Sequence, residues 1–218
     1  MTATIHLHPT AALAPRVLLP GDPGRALLLA QTLLDSPLMF NHNRGLWGYT
    51  GAGADGEPLT IQSTGMGRPS AMIVVHELVD LGARELIRVG TCGALGPDVA
   101  LGELIVAESA RHGDAEERPD PGLTAALQGE HRGPVVTTDD FYDADMGRQE
   151  RWSAEGALAV EMECAAIFSV ARERDVAAAA LLLVSDVVLP ERRRIAPDDL
   201  RDGEERLGRV AAAALAPA

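Results

Sequence analysis

The run Ala159-Val160-Glu161-Met162-Glu163-Cys164-Ala165-Ala166-Ile167 sets two carboxylates inside an apolar stretch that continues through Phe168 and Val170. An ionised carboxylate buried without partners is strongly destabilising, so Glu161 and Glu163 require polar groups from this chain or from a ligand. Other stretches carry residues of matching chemistry. In "LIRVGTCGAL", Arg88 interrupts an apolar strand and the small residues of "GTCG" follow it. A buried guanidinium needs an anion, and its planar fork suits phosphate or carboxylate. In "LLPGDPGR", Gly21 and Gly24 free the backbone, Pro23 fixes it and Arg25 begins a helix, where N–H groups and the dipole favour an anion. In "LLLVSDVV", Ser185 and Asp186 end a highly apolar strand, where a desolvated carboxyl suits a general acid. "STGMGRPS" again puts glycines after a strand and before a helix.

Each feature has a plainer alternative. Arg25 can be a solvated residue in an ordinary strand-to-helix turn, and "GDPGR" is not a Walker loop. Arg88 can close an internal salt bridge to Glu161 or Glu163, "STGMGRPS" can be a packing turn, and Asp186 can cap the next segment. Taken together, two cations for an anion, two acceptors for hydroxyl groups and one proton donor describe displacement at a sugar carbon. Phosphate would attack a glycosidic carbon, the pentose would be held through Glu161 and Glu163, and Asp186 would protonate the leaving base. Met162 would offer an apolar surface to the sugar.

Such residues must be positioned by the elements that precede them. Residues 16–22 read as a strand and 24–35 as a helix with apolar spacing of three and four. "LWGYTG" and "LTIQSTG" read as a strand pair around "GAGADGE". A helix is predicted over 70–82, started by Ser70 and stopped by Gly82. Strands follow at 85–91 and 102–109. Residues 111–133 read as an exposed excursion with at most a short helix at 122–128, and "PVVTTD" resumes the sheet. Helices are predicted at 146–154, 161–175 and 197–215, and a buried strand at 178–186. No repeat or linker divides the chain, so the expectation is one α/β domain over 1–218. It would have three αβα layers around a mixed, mainly parallel twisted sheet, with ligands gathered beyond strand ends.

Composition excludes several classes. The 218 residues hold 19 basic and 32 acidic side chains, a net charge of -13, which repels nucleic acid and anionic membranes but not a small anion gathered by local arginines. No run of about 18 apolar residues is present. "MTATIHLHPT" lacks the basic start and apolar stretch of a signal peptide, and Cys92 and Cys164 are the only cysteines. The expected location is therefore the cytoplasm. Cys92, near the anion turn, reads as an inert buried thiol.

The stretches "VLLPGDPGRA", "NRGLWGYTG", "STGMGRPSAMIVVHEL", "LIRVGTCGAL", "DDFY", "AVEMECAA" and "LLLVSD" resemble the nucleoside phosphorylase-I family, in that family's order and across nearly the whole chain. The resemblance implies phosphorolysis of the N-glycosidic bond of ribo- and 2'-deoxyribonucleosides, with inorganic phosphate as co-substrate and neither cofactor nor metal. It implies Asp186 and Arg88 as catalytic, Asp186 protonating purine N7. Gly21, Arg25, Arg88 and Thr91 would bind phosphate, joined by Arg44 from a neighbouring subunit. Glu161, Met162, Glu163 and Met66 would hold ribose. His6 of a neighbour, with His8 as the alternative, would reach its 5'-hydroxyl. Phe141, Val160, Ser185, Asp186, Cys92 and Gly93 would line the base. Nucleoside and phosphate are the implied partners, with self-association into a site-sharing dimer and further into a hexamer as a trimer of dimers.

Within that family the "SD" pair favours a purine phosphorylase over a uridine enzyme; a methylthioadenosine phosphorylase stays an alternative, and the set Arg25, Arg88, Glu163 and Asp186 speaks against a non-catalytic binder. Uridine phosphorylases replace that pair and carry a Gln and an Arg soon after "FY". Here Gln149 and Arg151 come later, on a predicted helix. Related nucleosidases, which use water, lack the "PGDPxR" turn. Three departures stand out: residues 110–134 are short for the family, leaving the base-side wall open or rebuilt. Arg68 stands where a small or apolar residue is usual, adding charge near the site or facing solvent. Arg194 and Arg201 are candidates to assist Asp186, with a solvated charge run as the simpler reading of both.

Overall fold

A computed structural model describes residues 4–96, 98–142 and 145–216. The chain runs β1 (Arg16–Leu19), α1 (Pro23–Leu33), β2 (Asp35–Asn41), β3 (Gly48–Ala52), β4 (Pro58–Gln62), α2 (Arg68–Leu81), β5 (Glu85–Ala94) and β6 (Leu104–His112). It continues with β7 (Ala115–Glu117), α3 (Pro121–Ala126), β8 (His131–Thr137), α4 (Met146–Ala154), β9 (Ala159–Glu161), α5 (Cys164–Arg174), β10 (Ala177–Val187), β11 (Arg193–Arg194) and α6 (Pro197–Ala214).

The strands form one sheet in the order β11-β10-β6-β8-β9-β5-β1-β4-β3-β2, with β7 on β6. β10 also pairs with β5, so β5, β9, β8, β6 and β10 close into a ring, and β1, β4, β3 and β2 extend from it as an open wing. The parallel pairs β10–β5, β1–β5 and β1–β4 form the spine, and the antiparallel pairs β4–β3 and β3–β2 lead out to the wing's edge.

Alternation along the central strands creates the layers. In β10, Ala178, Ala180, Leu182 and Val184 pack with α2 and α5 residues such as Val74, Leu78, Ile167 and Phe168. The intervening Ala179, Leu181 and Leu183 pack with Leu29 and Ala30 of α1 and Leu207 and Ala211 of α6. A strand covered on both faces reads as a continuous apolar run, because both of its side-chain sets are buried. Each fully buried leucine contributes about 1.5–3 kcal/mol. The three-layer α/β arrangement holds.

Several boundaries differ from the sequence reading. The first helix stops at Leu33, and β2, which that reading lacks, begins at Asp35 and pairs with β3. α2 starts at Arg68 behind Gly67, and Ser70 sits inside it, its hydroxyl donating to Thr64 O at 2.5 Å. Gly82 does end α2, at φ 118°. Residues 111–133 are more than an excursion: they hold β7, α3 and the start of β8, and Leu123 and Leu127 are buried. α5 begins at Cys164, leaving Glu161 and Glu163 ahead of its first turn.

Candidate active site

Arg88 lies in β5 with its guanidinium folded over Gly90, the next residue on the same strand face. A Cβ at Gly90 would sit 2.5 Å from the Arg88 Cζ, so only glycine leaves room for the side chain there. Arg88 Nε donates to Glu161 Oε2 at 3.0 Å and Nη2 to Glu163 Oε2 at 2.5 Å. Burial alone would lower the Arg88 value, but Glu163 and Glu161 outweigh it and hold the guanidinium firmly protonated. Its Nη1 is buried with no hydrogen-bond partner among the described residues. The salt-bridge alternative for Arg88 is thus realised twice over, with one donor still free.

The two carboxylates therefore find different surroundings. Glu161 accepts from Arg88 Nε, from Thr137 Oγ1, and from the backbone N–H groups of Glu163 and Cys164 at 2.8–3.0 Å. Its side chain is 0% exposed, and it serves as the anion at the start of α5. Read from sequence as a ribose ligand, Glu161 has its carboxylate engaged by these protein donors, Arg88 among them. Glu163 holds Arg88 and accepts from Gly67 N at 2.5 Å, yet it borders open space. Gly67 reaches it from a backbone with φ 84°. Burial pushes the Glu163 carboxyl above the usual range, against the pull of Arg88.

That space is a cavity of about 420 Å³, within the range of small-molecule sites. Its walls include Gly21, Arg25, Met66, Arg88, Thr91, Cys92, Gly93, Phe141, Val160, Glu161, Met162, Glu163, Ser185 and Asp186. Arg44 and His6 are not among them. Arg44 is exposed in the turn at 43–45 with φ 58°, and His6 Nδ1 is 2.7 Å from Glu77 Oε1. These two segments adjoin, Asn43 Nδ2 donating to His6 O at 2.8 Å. His8 is exposed, its Nε2 3.2 Å from Ile5 O.

The anion turn differs from its sequence reading. Asp22 caps α1 with its own side chain, accepting from Gly24 N at 2.9 Å, so that helix start is already occupied. Arg25 is buried rather than solvated: Nε pairs with Glu204 Oε1 of α6 at 2.8 Å, a partner the sequence reading does not contain. Burial drives the Cys92 thiol far up, which keeps it protonated and inert.

At the other end stands Asp186. β10 pairs Val184 with Cys92 but Asp186 with Gly93, so Ser185 is a bulge residue. The bulge re-aims the strand end and lets both Ser185 and Asp186 line the cavity. Ser185 Oγ donates to Asp186 Oδ2 at 2.9 Å. Asp186 is not the lone desolvated carboxyl that its strand suggests: Arg194 Nε is 3.2 Å from Oδ1 and Arg192 Nε 3.9 Å from it. The structure decides between the two arginine candidates, since β11 brings Arg194 opposite Asp186 while Arg201 pairs with Glu205 on α6.

Other wall residues escaped the sequence reading, notably Thr138, Asp140, Trp152 and Arg192, and they stand beside Arg194, already a candidate there. Gln149 and Trp152 share one face of α4 at a spacing of three, a signal present in the sequence. Gln149 falls too late after "FY" to match the uracil-reading residue, yet it lines the cavity because α4 supplies a wall. Arg151 points elsewhere, toward Asp145 at 3.6 Å. Along the chain the wall passes from Gly93 directly to Thr138, so residues 110–134 contribute nothing to it. Arg68 neither lines the cavity nor stands free; Nη1 lies 2.8 Å from His112 Nε2 and 3.3 Å from Asp139 Oδ2.

A family model described as the phosphorylase superfamily matches residues 15–216. The chain is 41% identical to a "Purine nucleoside phosphorylase DeoD-type" of Geobacillus kaustophilus, over 83% of this chain and 84% of the relative. It is 38% identical to a protein of that name from Exiguobacterium sibiricum, over 81% and 83%. Among solved structures, a uridine phosphorylase from Vibrio fischeri ES114 superposes with a TM-score of 0.84 at 26% identity, covering 98% of each chain.

Proposed function

The chain belongs to the phosphorylase superfamily, and from that premise we propose that it is a purine nucleoside phosphorylase. It cleaves the N-glycosidic bond of ribo- and 2'-deoxyribonucleosides with inorganic phosphate, releasing free base and pentose 1-phosphate. The observation that carries the reading is one cavity lined by both Arg88, whose buried Nη1 has no partner among the described residues, and Asp186. One wall offers a donor for an anion and the other a carboxyl for a leaving base, with Glu163 among the lining groups for the pentose.

In the proposed reaction, phosphate rests against Arg88, Arg25, Thr91 and the Gly21 backbone. A phosphate oxygen forms a bond to C1' as the C1'–N9 bond breaks and its electron pair moves into the purine. Asp186 gives a proton to N7, so that the base leaves neutral. Glu163 accepts the 2'- and 3'-hydroxyls, Met66 and Met162 pack on the sugar, and Phe141 stacks on the base. Val160, Ser185, Cys92 and Gly93 complete the base wall. Acceleration comes from positioning and from charge placed where it develops.

Arg44 and His6 complete the site of a neighbouring copy. Their shared location off the cavity supports this, as do the exposed apolar side chains Ile5, Leu38, Met39 and Trp47 of the same two stretches of chain. The proposed unit is one domain over 1–218 that pairs into site-sharing dimers, three of which form a hexamer, in the cytoplasm. No helix among the described residues is long and apolar enough to cross a membrane.

A second reading, phosphorolysis of uridine, draws on Gln149 in the cavity wall and on the uridine phosphorylase likeness. The Ser185–Asp186 pair argues against it, because a pyrimidine has no N7 to protonate. Release of base from inosine, methylthioadenosine and uridine at one phosphate concentration separates the two. Purine release that depends on phosphate is the expected result; release without phosphate, or none at all, would overturn the proposal.

A further inference from the structure

We propose that Arg192 reads the C6 substituent of the purine and makes this chain selective for 6-oxopurine over 6-aminopurine nucleosides; the proposal rests on the purine phosphorolysis reading above. Two contacts place its guanidinium. It lies over the Phe141 ring, 5.5 Å from the centroid, and its Nε is 3.9 Å from Asp186 Oδ1. All three side chains line the cavity.

On a purine, N7 and the C6 substituent are adjacent positions of one edge. A purine stacked on Phe141 with N7 at Asp186 therefore turns its C6 substituent toward a neighbour of Asp186, and the Ser185 hydroxyl is already engaged there, donating to Oδ2 at 2.9 Å. Arg194 is already engaged there, as the cross-strand partner of Asp186 with Nε at 3.2 Å. Arg192 is too far from the carboxylate for a hydrogen bond and has donors to give.

A guanidinium carries donors and no acceptor. It can bond the O6 of hypoxanthine or guanine, whereas the amino group of adenine meets it donor to donor. The same chemistry makes arginine the partner of guanine O6 and N7 in the DNA major groove, where adenine takes a carboxamide instead. Gln149 serves the next edge position: it lines the cavity, and its Oε1 is buried without a partner among the described residues. A carboxamide can accept from the N1–H of a 6-oxopurine or, turned over, donate to the N1 of adenine. Gln149 therefore does not choose between them. Arg192 cannot turn over, so the choice falls to it.

The test compares kcat/KM for inosine and adenosine, on the full chain at one saturating phosphate concentration. The unsubstituted protein should favour inosine by about tenfold or more, the scale of one well-made base contact. Arg192→Gln, which offers an acceptor as well as donors, should bring the ratio close to one by lowering the inosine value, and Arg192→Lys should keep the preference. Calorimetric titration with hypoxanthine and adenine reads the same selectivity without turnover, hypoxanthine alone losing affinity in Arg192→Gln. Equal use of both nucleosides by the unsubstituted protein, or an unchanged ratio in Arg192→Gln, overturns this assignment and leaves phosphorolysis standing. Absence of phosphate-dependent release of either base overturns both.

Discussion

At the anion end of the cavity the charged groups are buried and paired with one another, whereas at the base end the buried Asp186 meets arginines that stand more than half in solvent. Arg88 is 3% exposed and is gripped by Glu161 and Glu163, which the start of α5 and Gly67 hold in turn. Arg194 is 74% exposed and Phe141 51%, and Asp186 is aimed by a bulge and paired with Arg194 of a short edge strand, Arg192 standing further off. The first arrangement cannot be altered without disturbing the fold, since Glu161 also accepts the N–H groups at the start of α5. The second can change with little structural cost. On the proposed reading, chemistry common to all nucleosides lies at the buried end, and discrimination between bases at the more exposed one.

Four substitutions test that contrast, beginning with the largest effect. Arg88→Ala leaves two buried carboxylates without their cation and should cost about 3–5 kcal/mol of stability. Urea unfolding measures this, and the phosphate KM of whatever folds should rise steeply. A stable variant with unaltered phosphate dependence would break the comparison at its buried end. Asp186→Asn should fold normally by the same assay while purine turnover falls about 10²-fold. Equal losses of stability in the two variants would erase the distinction.

The third test is acidity. Burial raises the Glu163 carboxyl, so the group protonates at a pH above the ordinary glutamate range. On the proposed reading only its ionised form accepts both pentose hydroxyls, so kcat/KM for nucleoside should fall as pH drops through that raised value, and Glu163→Gln should remove this limb of the profile. The effect on stability has the opposite sign. The folded state binds this proton more tightly than the unfolded chain, so the contribution is full below the ordinary value and is lost as pH rises through the raised one.

The smallest effect lies away from the cavity, at Glu77. Burial pushes its carboxyl up, but the N–H groups of Leu7, His6 and Ile5 together with the His6 ring outweigh this and hold it below the ordinary value. Its contribution is present above the usual glutamate range and is lost as pH falls through the depressed value. Glu77→Gln should cost about 1 kcal/mol near neutral pH. If His6 serves a neighbouring site, nucleoside KM should rise in that variant while phosphate KM stays constant, which sharpens the view that the base and sugar side is adjustable.

Much of the site is legible in the chain because its residues occur where apolar runs stop. Arg88, Glu161, Glu163, Ser185 and Asp186 break hydrophobic patterns, and a polar group inside such a pattern needs a reason. The helix at 146–154 and the end of α2 at Gly82 follow from periodicity and from a left-handed cap, both local properties. The edge strands β2 and β11 were not legible, because they owe their form to a partner strand more than to their own pattern.

By itself, then, the sequence determined the layered α/β class, the strand-end positions of the charged groups and the need for an anion beside Arg88. Those depend on hydrophobic spacing and on the cost of an unpaired charge, which act over a few residues. Only the tertiary structure decided that Glu161 serves Arg88 and a helix start while Glu163 faces the cavity, that Glu204 holds Arg25, that Gln149 supplies a wall, and that Arg194 rather than Arg201 meets Asp186. Each of these is set by strand pairing, a register shift or the packing of a remote helix. Contacts between residues far apart in the chain are fixed by the closure of the sheet, and no local pattern records them.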